Sequence, residues 1–228
     1  MRKKLLMLGG TSDIGMETAL VFAKNNFDII LMGRDDLKLQ ENKNKIINKT
    51  NVNVDVKIID FLDLDLNDPG LKSRIDESQV TILSIGLMPS HKELENDSNK
   101  IVNTFNVNLT SAVVFLEFIK KIYQNKKDRS IIAISSAAGV RGKSSNYIYG
   151  SAKSGLITYM SGLRQSLDKY DIHVCTIIPG FVKTKMSKNL DLPKPLTCSP
   201  EYVATQIYKA YIKKSNIVYV MGIWRYIM

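Results

Sequence analysis

The sequence predicts an α/β fold, a doubly wound parallel sheet of about seven strands with helices on both faces. Short apolar runs alternate with helical patterns along the whole chain. That order gives right-handed crossovers between parallel strands. The runs are apolar without strict alternation, as strands buried on both faces must be. With 228 residues and no internal repeat or linker, residues 1–228 read as one domain around one core.

Leu5 to Leu8 is the first strand, and it stops at Gly9-Gly10. Ile14 to Lys24 follows, with Ile14, Ala19, Val21 and Phe22 at helical spacing. Phe27 to Met32 is the second strand, ended by Gly33-Arg34. A polar amphipathic helix covers Asp36 to Asn48, and the third strand, Val54 to Ile59, ends at Asp60. Leu71 to Glu77 is a short helix, and the fourth strand, Val80 to Ile85, ends at Gly86. One long helix is expected over Asp97 to Gln124, then a strand over Ser130 to Ser135. A second long helix covers Tyr147 to Tyr170, and the strand His173 to Ile178 ends at Pro179-Gly180. Ser199 caps a helix that has Pro200 at its first position and runs to Lys213. Asn216 to Val220 is the last strand. In such a sheet, ligands bind at the carboxyl ends of the strands, where the strand order reverses.

Composition narrows the partners. Hydrophobic residues make up 44% and charged residues 24%, ordinary for a globular chain. No run reaches the roughly 18 uncharged apolar residues of a membrane span. The first strand begins too soon for a secretory leader, so a cytoplasmic protein is expected. Cys175 lies in an apolar run and reads as a buried thiol. With Cys198 alone it makes neither a disulfide framework nor a zinc site, and no metal is expected. The net charge is +10, from 32 basic and 22 acidic residues. It is either a biased composition spread over solvated faces or a basic face toward an anionic membrane or a phosphate-bearing substrate. No dense basic helix interleaved with aromatics is present, so nucleic acid is not an expected partner.

Gly9-Gly10-Thr11-Ser12-Asp13-Ile14-Gly15 joins the first strand to the first helix. Small residues there let the backbone approach a pyrophosphate, and the helix N-terminus offers free N–H groups and a partial positive charge. A glycine cluster at that junction points to a dinucleotide, although a plain tight turn would look similar. The second strand ends at Arg34, where an acid would bond the adenosine ribose hydroxyls. Arg34 would instead pair with a 2′-phosphate and stack on adenine. NADP(H) is therefore favoured over NAD(H), with Asp35 and Asp36 as alternative ribose partners.

Tyr149 and Lys153 are four apart at the start of a helix, on one face. Ser136 stands thirteen residues before Tyr149 at the end of a strand. Ser135 and Tyr147 are the near alternatives, and Tyr147 falls on another face. Reducing a ketone needs a proton donor beside the hydride acceptor. A free Tyr has a pKa of about 10, and a neighbouring ammonium favours the phenolate. Asn108 lies mid-helix, where Asn is a poor helix former. It marks either a kink or a site.

The glycine loop and the pattern Ser135-Ser136-x12-Tyr149-x3-Lys153 resemble the short-chain dehydrogenase/reductase family, whose fold is of the Rossmann type. The resemblance runs from Leu5 to about Val220. Leu8 departs from the usual Thr and Asp13 from the middle Gly of the family's Thr-Gly-x3-Gly-x-Gly fingerprint. One branch reads Gly-Gly/Ala-Thr-Ser-Asp/Glu-Ile-Gly at this loop. It includes the ketoreductase subunit of decaprenylphosphoryl-ribose epimerase and related polysaccharide enzymes.

The resemblance implies four catalytic residues. Ser136 would bond the substrate carbonyl oxygen and stabilise developing charge. Tyr149 would move the proton, and Lys153 would supply positive charge and hold the nicotinamide ribose. Asn108 would hold a water in a relay to Lys153. It further implies that Gly9, Thr11, Ser12, Asp13, Ile14 and Gly15 surround the pyrophosphate. Asp60 would meet the adenine amino group with Phe61 beside it, and Gly86 would lie near the adenosine ribose, after Ser84 where many relatives have Asn. Pro179, Gly180, Val182 and Thr184 would close over the nicotinamide. Lys185 to Thr197 would cover the substrate, with Met186 and Leu190 as either lid contacts or core. A homodimer or homotetramer is expected through the two long helices.

The substrate is expected to be a small carbonyl or alcohol. A sugar-like ketone of surface polysaccharide or lipid-linked sugar synthesis leads. A general carbonyl or 3-oxoacyl substrate is the alternative, and a non-catalytic NADP(H)-binding regulator is the reading from another class. Trp224, Arg225 and Tyr226, if exposed, suit a peripheral contact at the inner membrane surface. Otherwise they pack on the core or in a dimer interface.

Overall fold

The computed structural model describes residues 2–228. In chain order the main elements are β1 (Lys4–Leu8), α1 (Asp13–Lys24), β2 (Asp28–Gly33), α2 (Asp36–Ile47), β3 (Val54–Ile58), α3 (Pro69–Glu77) and β4 (Val80–Leu83). They continue with α4 (His91–Glu95), α5 (Ser98–Phe105), α6 (Ser111–Tyr123), β5 (Arg129–Ile134), α7 (Tyr147–Asp168) and β6 (Ile172–Ile178). The last are β7 (Phe181–Val182), β8 (Thr197–Cys198), α8 (Pro200–Ile212), β9 (Ile217–Tyr219) and α9 (Trp224–Ile227). Seven strands form one sheet in the order β3-β2-β1-β4-β5-β6-β9, and every pairing is parallel. The order reverses between β1 and β4, which opens a crevice at their carboxyl ends.

The central strand explains the unbroken apolar runs. Leu5 and Met7 of β1 belong to one core, with α1, α2 and α8. Leu6 and Leu8 belong to the other, with α3, α6 and α7. All four are fully buried, so both faces of the strand must be apolar. Helix starts follow local chemistry. Ser12, Asp35, Asp68 and Ser199 each accept a hydrogen bond from a backbone N–H of the first turn, the usual way to satisfy an orphan donor.

Three features depart from the sequence reading. The long helix expected over Asp97 to Gln124 is broken by a π-helical turn at Asn106–Thr110. There the Asn108 Nδ2 donates to the Thr104 carbonyl oxygen at 2.8 Å, which competes with the regular backbone ladder. A short helix, α4, appears at His91, held by a capping box between Ser90 and Glu93. β7 and β8 pair as a small parallel sheet of their own beyond β6.

The helical run Ser98–Tyr123 holds an 18-residue stretch of mean hydropathy 1.3, long and apolar enough to cross a membrane. In the fold its α6 part packs Ala112, Phe115, Leu116, Ile119 and Tyr123 into the core. Tyr123 is anchored there by Ser78 and Thr81, its hydroxyl lying 2.7 Å from Thr81 Oγ1.

Candidate active site

A cleft of about 530 Å³ lies at the carboxyl ends of the strands, where the order reverses. At one end stands the loop after β1. Gly9 has φ +82°, a conformation L side chains rarely adopt, and a Cβ there would strike the Ser84 carbonyl. Gly9 and Gly10 both donate to the Met32 carbonyl oxygen at 2.9 Å. Ser12 Oγ accepts from Gly15 N–H at 2.9 Å and shares a hydrogen bond with Ser84 Oγ at 2.8 Å. Asp13 and Ile14 are the first two residues of α1, so their N–H groups have no intrahelical acceptor. Gly9, Thr11, Ser12, Asp13 and Ile14 line the cleft. Gly15 stands behind them, packed against the Gly9 carbonyl.

The Asp13 carboxylate reaches the segment after Thr184. It accepts a hydrogen bond from the Lys185 backbone N–H at 2.7 Å. Asn42 is a residue the sequence reading missed. It is buried in α2 and donates to the Gly10 carbonyl oxygen at 2.8 Å. A buried Asn on an otherwise apolar helix face was the available signal.

Arg34 is exposed on the cleft wall and makes no ion pair among the described residues. Asp35 and Asp36 are spoken for. Asp35 caps α2 through the Lys38 N–H at 3.0 Å, and Asp36 accepts from Gln40 at 3.1 Å. Asp60 lines the cleft and closes its own turn, accepting from the Leu62 N–H at 2.9 Å. Phe61 also reaches the cleft, and its ring packs edge-on against Phe115 in the core.

The other end holds the polar group picked out by spacing. Ser136, Tyr149 and Lys153 all line the cleft. Tyr149 and Lys153 are buried, with the ammonium 5.9 Å from the centre of the phenol ring. Burial pushes the Tyr149 phenol up to about 12, and Ser136 opposes that shift by hydrogen bonding. Burial alone brings the Lys153 ammonium down to about 8. Its Nζ donates to the Ile85 carbonyl oxygen at 3.2 Å. Ser136 Oγ accepts from the Ala138 N–H at 3.1 Å, whereas buried Ser135 donates to the Lys153 carbonyl oxygen at 2.9 Å. Ser135 thus anchors α7, and Ser136 faces the cleft.

Asn108 lies behind the cleft wall in the π-helical turn. Its amide brackets the loop after β4, donating to the Leu87 carbonyl oxygen at 2.7 Å and accepting from the Leu87 N–H at 3.2 Å. Gly86 sits between Asn108 and Lys153: a Cβ there would lie 3.2 Å from Asn108 Oδ1 and 3.4 Å from Lys153 Nζ.

Pro179, Gly180, Val182 and Thr184 line the cleft after β6. The Pro179 carbonyl oxygen accepts from the Ala137 N–H at 2.8 Å, which sets this segment beside Ser136. Thr184 N–H donates to Ser187 Oγ at 3.0 Å, starting a short 3₁₀ turn over Lys185–Ser187. Met186 and Leu190 are half-exposed on the rim.

Of the two readings of the Trp224-Arg225-Tyr226 end, Trp224 follows the one that packs it inside. It is 2% exposed and lines the cleft, whereas Tyr226 is 87% exposed. The indole lies against Gly180, where a Cβ would fall inside the ring, and meets Phe181 edge-on at 5.2 Å.

A family model described as short chain dehydrogenase matches residues 3–194. The chain belongs to the short chain dehydrogenase family. It is an oxidoreductase acting on CH–OH and carbonyl groups, with the nicotinamide-binding fold of that family. Among curated relatives, an uncharacterized oxidoreductase of Mycobacterium tuberculosis is 26% identical over 95% of this chain and 87% of its own. Carbonyl reductase family member 4 of Xenopus laevis is 24% identical over 83% of this chain and 80% of its own. Among solved structures, a short-chain dehydrogenase from Sphingobium yanoikuyae in complex with NADPH superposes with a TM-score of 0.85. It is 18% identical and covers 95% of this chain and 87% of that one. An actinorhodin polyketide ketoreductase with NADPH superposes with a TM-score of 0.81, at 18% identity, over 97% and 96% of the two chains.

Proposed function

We propose that this short chain dehydrogenase is a single-domain, NADP(H)-dependent ketoreductase, with Ser136, Tyr149, Lys153 and Asn108 as its catalytic set. The observation that carries the reading is the buried Tyr149–Lys153 pair beside Ser136, at one end of a cleft whose other end is the β1–α1 loop. The residues fit a nicotinamide dinucleotide: the free N–H groups of α1 suit its pyrophosphate, and unpaired Arg34 suits a 2′-phosphate. The nicotinamide, when bound, supplies or accepts the hydride at the carbonyl carbon.

The chain's own residues do the rest. Ser136 holds the carbonyl oxygen and stabilises its developing charge. Tyr149 gives the proton to that oxygen, and the Lys153 ammonium favours its release. Asn108 fixes the wall behind Lys153 by gripping Leu87, with a water relay to Lys153 as its further role. Arg34 gives the preference for NADPH, and two structural relatives are complexes with NADPH.

A sugar-like ketone of surface polysaccharide or lipid-linked sugar synthesis remains the leading substrate. Lys143, Ser145 and Asn146 give the cleft a polar side that suits hydroxyl groups. The second reading is a general carbonyl or 3-oxoacyl reductase. It draws on apolar Leu87, Met88, Met186 and Leu190 in the same cleft and on the names of relatives such as the very-long-chain 3-oxoacyl-CoA reductase-A of Danio rerio. A homodimer or homotetramer in the cytoplasm completes the proposal. A contact with an anionic membrane draws on the +10 charge and on exposed Ile223, Arg225 and Tyr226.

The test is titration with NADPH and NADH followed by nicotinamide fluorescence, then a screen of keto-sugars and 3-oxoacyl thioesters. Tighter NADPH binding with turnover of one ketone class is expected. Binding of neither nucleotide would overturn the proposal.

A further inference from the structure

Resting on the reductase reading above, we infer that the substrate carries an anionic oxygen group, a carboxylate or a phosphate, which Lys143 receives over the ring faces of Phe181 and Trp224. Lys143 lies between Ser136 and Tyr149 in the chain and lines the same cleft as both. It is half-buried, and its ammonium makes no ion pair or hydrogen bond among the described residues. Its ammonium stands 5.6 Å from the Trp224 ring centre and 6.0 Å from that of Phe181. Two aromatic faces hold a cation in place without neutralising it. The side chain is therefore positioned and its charge is left for a partner.

Two neighbouring polar atoms point the same way. The Trp224 Nε1–H and Asn146 Oδ1 are buried with no hydrogen-bond partner among the described residues, and both residues line the cleft. Buried polar groups are nearly always paired, so this end of the cleft is built for a ligand with polar atoms of its own. An indole N–H and an ammonium are both donors, a set that suits acceptor oxygens bearing negative charge. Asn146 is left to take a hydroxyl or amide donor. Lys143 needs no part in proton transfer, so its effect falls on the choice of substrate.

Trp224 is the single tryptophan of the chain, so its fluorescence reports on this wall. The 228-residue protein, with and without NADP⁺, is titrated with benzoate, phenyl phosphate and the neutral isostere benzamide. Benzoate or phenyl phosphate should bind about tenfold or more tightly than benzamide, the size of a hydrogen bond to a charged group. Whichever anion wins names the group. Lys143→Met should abolish the preference while NADPH binding, read by nicotinamide fluorescence, persists, and Lys143→Arg should restore it. Equal affinity for all three probes, or a preference that survives Lys143→Met, overturns the inference. Failure of NADPH to bind would instead strike the reductase reading, because the apo titration still decides the role of Lys143.

Discussion

The carboxylate of Asp13 and the backbone N–H of Lys185, 172 residues apart in sequence, are joined by a 2.7 Å hydrogen bond. The bond links the first turn of α1 to the segment that follows Thr184. It also gives the carboxylate at the β1–α1 loop a backbone donor from the segment 185–197. Asp13→Ala should loosen residues 185–197. Their amides should exchange about tenfold faster or more, as for loss of one charge-assisted hydrogen bond, while the sheet is unaffected. Mass-resolved hydrogen exchange reads this directly, and unchanged protection of the segment would mean the bond does not hold it.

Tyr149→Phe removes only the hydroxyl. Turnover should fall about a hundredfold or more, the usual worth of a placed proton donor, and NADPH binding should persist. Full turnover by this variant would take Tyr149 out of the chemistry.

Lys153 ordinarily titrates at 10.5 and burial brings it down to about 8. Below 8 it is charged whether folded or unfolded, and the folded state bears the cost of a buried ammonium. Between 8 and 10.5 the unfolded chain binds more protons, so stability rises with pH across that window. In the absence of nucleotide, Lys153→Met should therefore be the more stable protein at neutral pH, by an amount on the order of 3 kcal/mol. The gap should close as pH approaches 10.5. Denaturant unfolding of both proteins across the window checks the sign, and a wild type more stable than the variant at neutral pH would reverse it.

Arg34→Glu should raise the KM for NADPH far more than that for NADH. The wild-type preference should also shrink with added salt, since Arg34 is exposed and screened. Equal effects on the two nucleotides would leave the cofactor preference without its residue.

Gly180→Ala puts a methyl where the Trp224 indole lies. The ring must move, so its fluorescence should shift to the red and stability should drop by about 1–3 kcal/mol, the cost of overpacking. An unshifted spectrum would mean α9 yields without exposing its tryptophan.

Much of this architecture could be read from the sequence because its signals are local. The runs at Leu5, Phe27, Val80 and His173 and the glycine loop are decided within a few residues, and the sheet places strands at or within two residues of those runs. Tyr149 and Lys153 share a helix face by spacing alone. What escaped depends on distant partners. The π-helical turn follows from the grip of Asn108 on Thr104 and Leu87. The place of Trp224 follows from the missing side chain at Gly180, 44 positions earlier. Neither contact leaves a periodic trace, so propensity and pattern carry no record of them.

The amide of Asn42, holding the Gly10 carbonyl from within α2, ties the shape of the proposed nucleotide loop to how firmly α2 sits on the sheet. Such a tie is reciprocal. Whatever nucleotide binding gains from a well-seated α2, α2 gains in protection from nucleotide. A change on the far side of that helix, such as truncating buried Ile46, would then be felt as weaker nucleotide affinity by a residue that never touches it. Saturating nucleotide would, by the same factor, mask the damage.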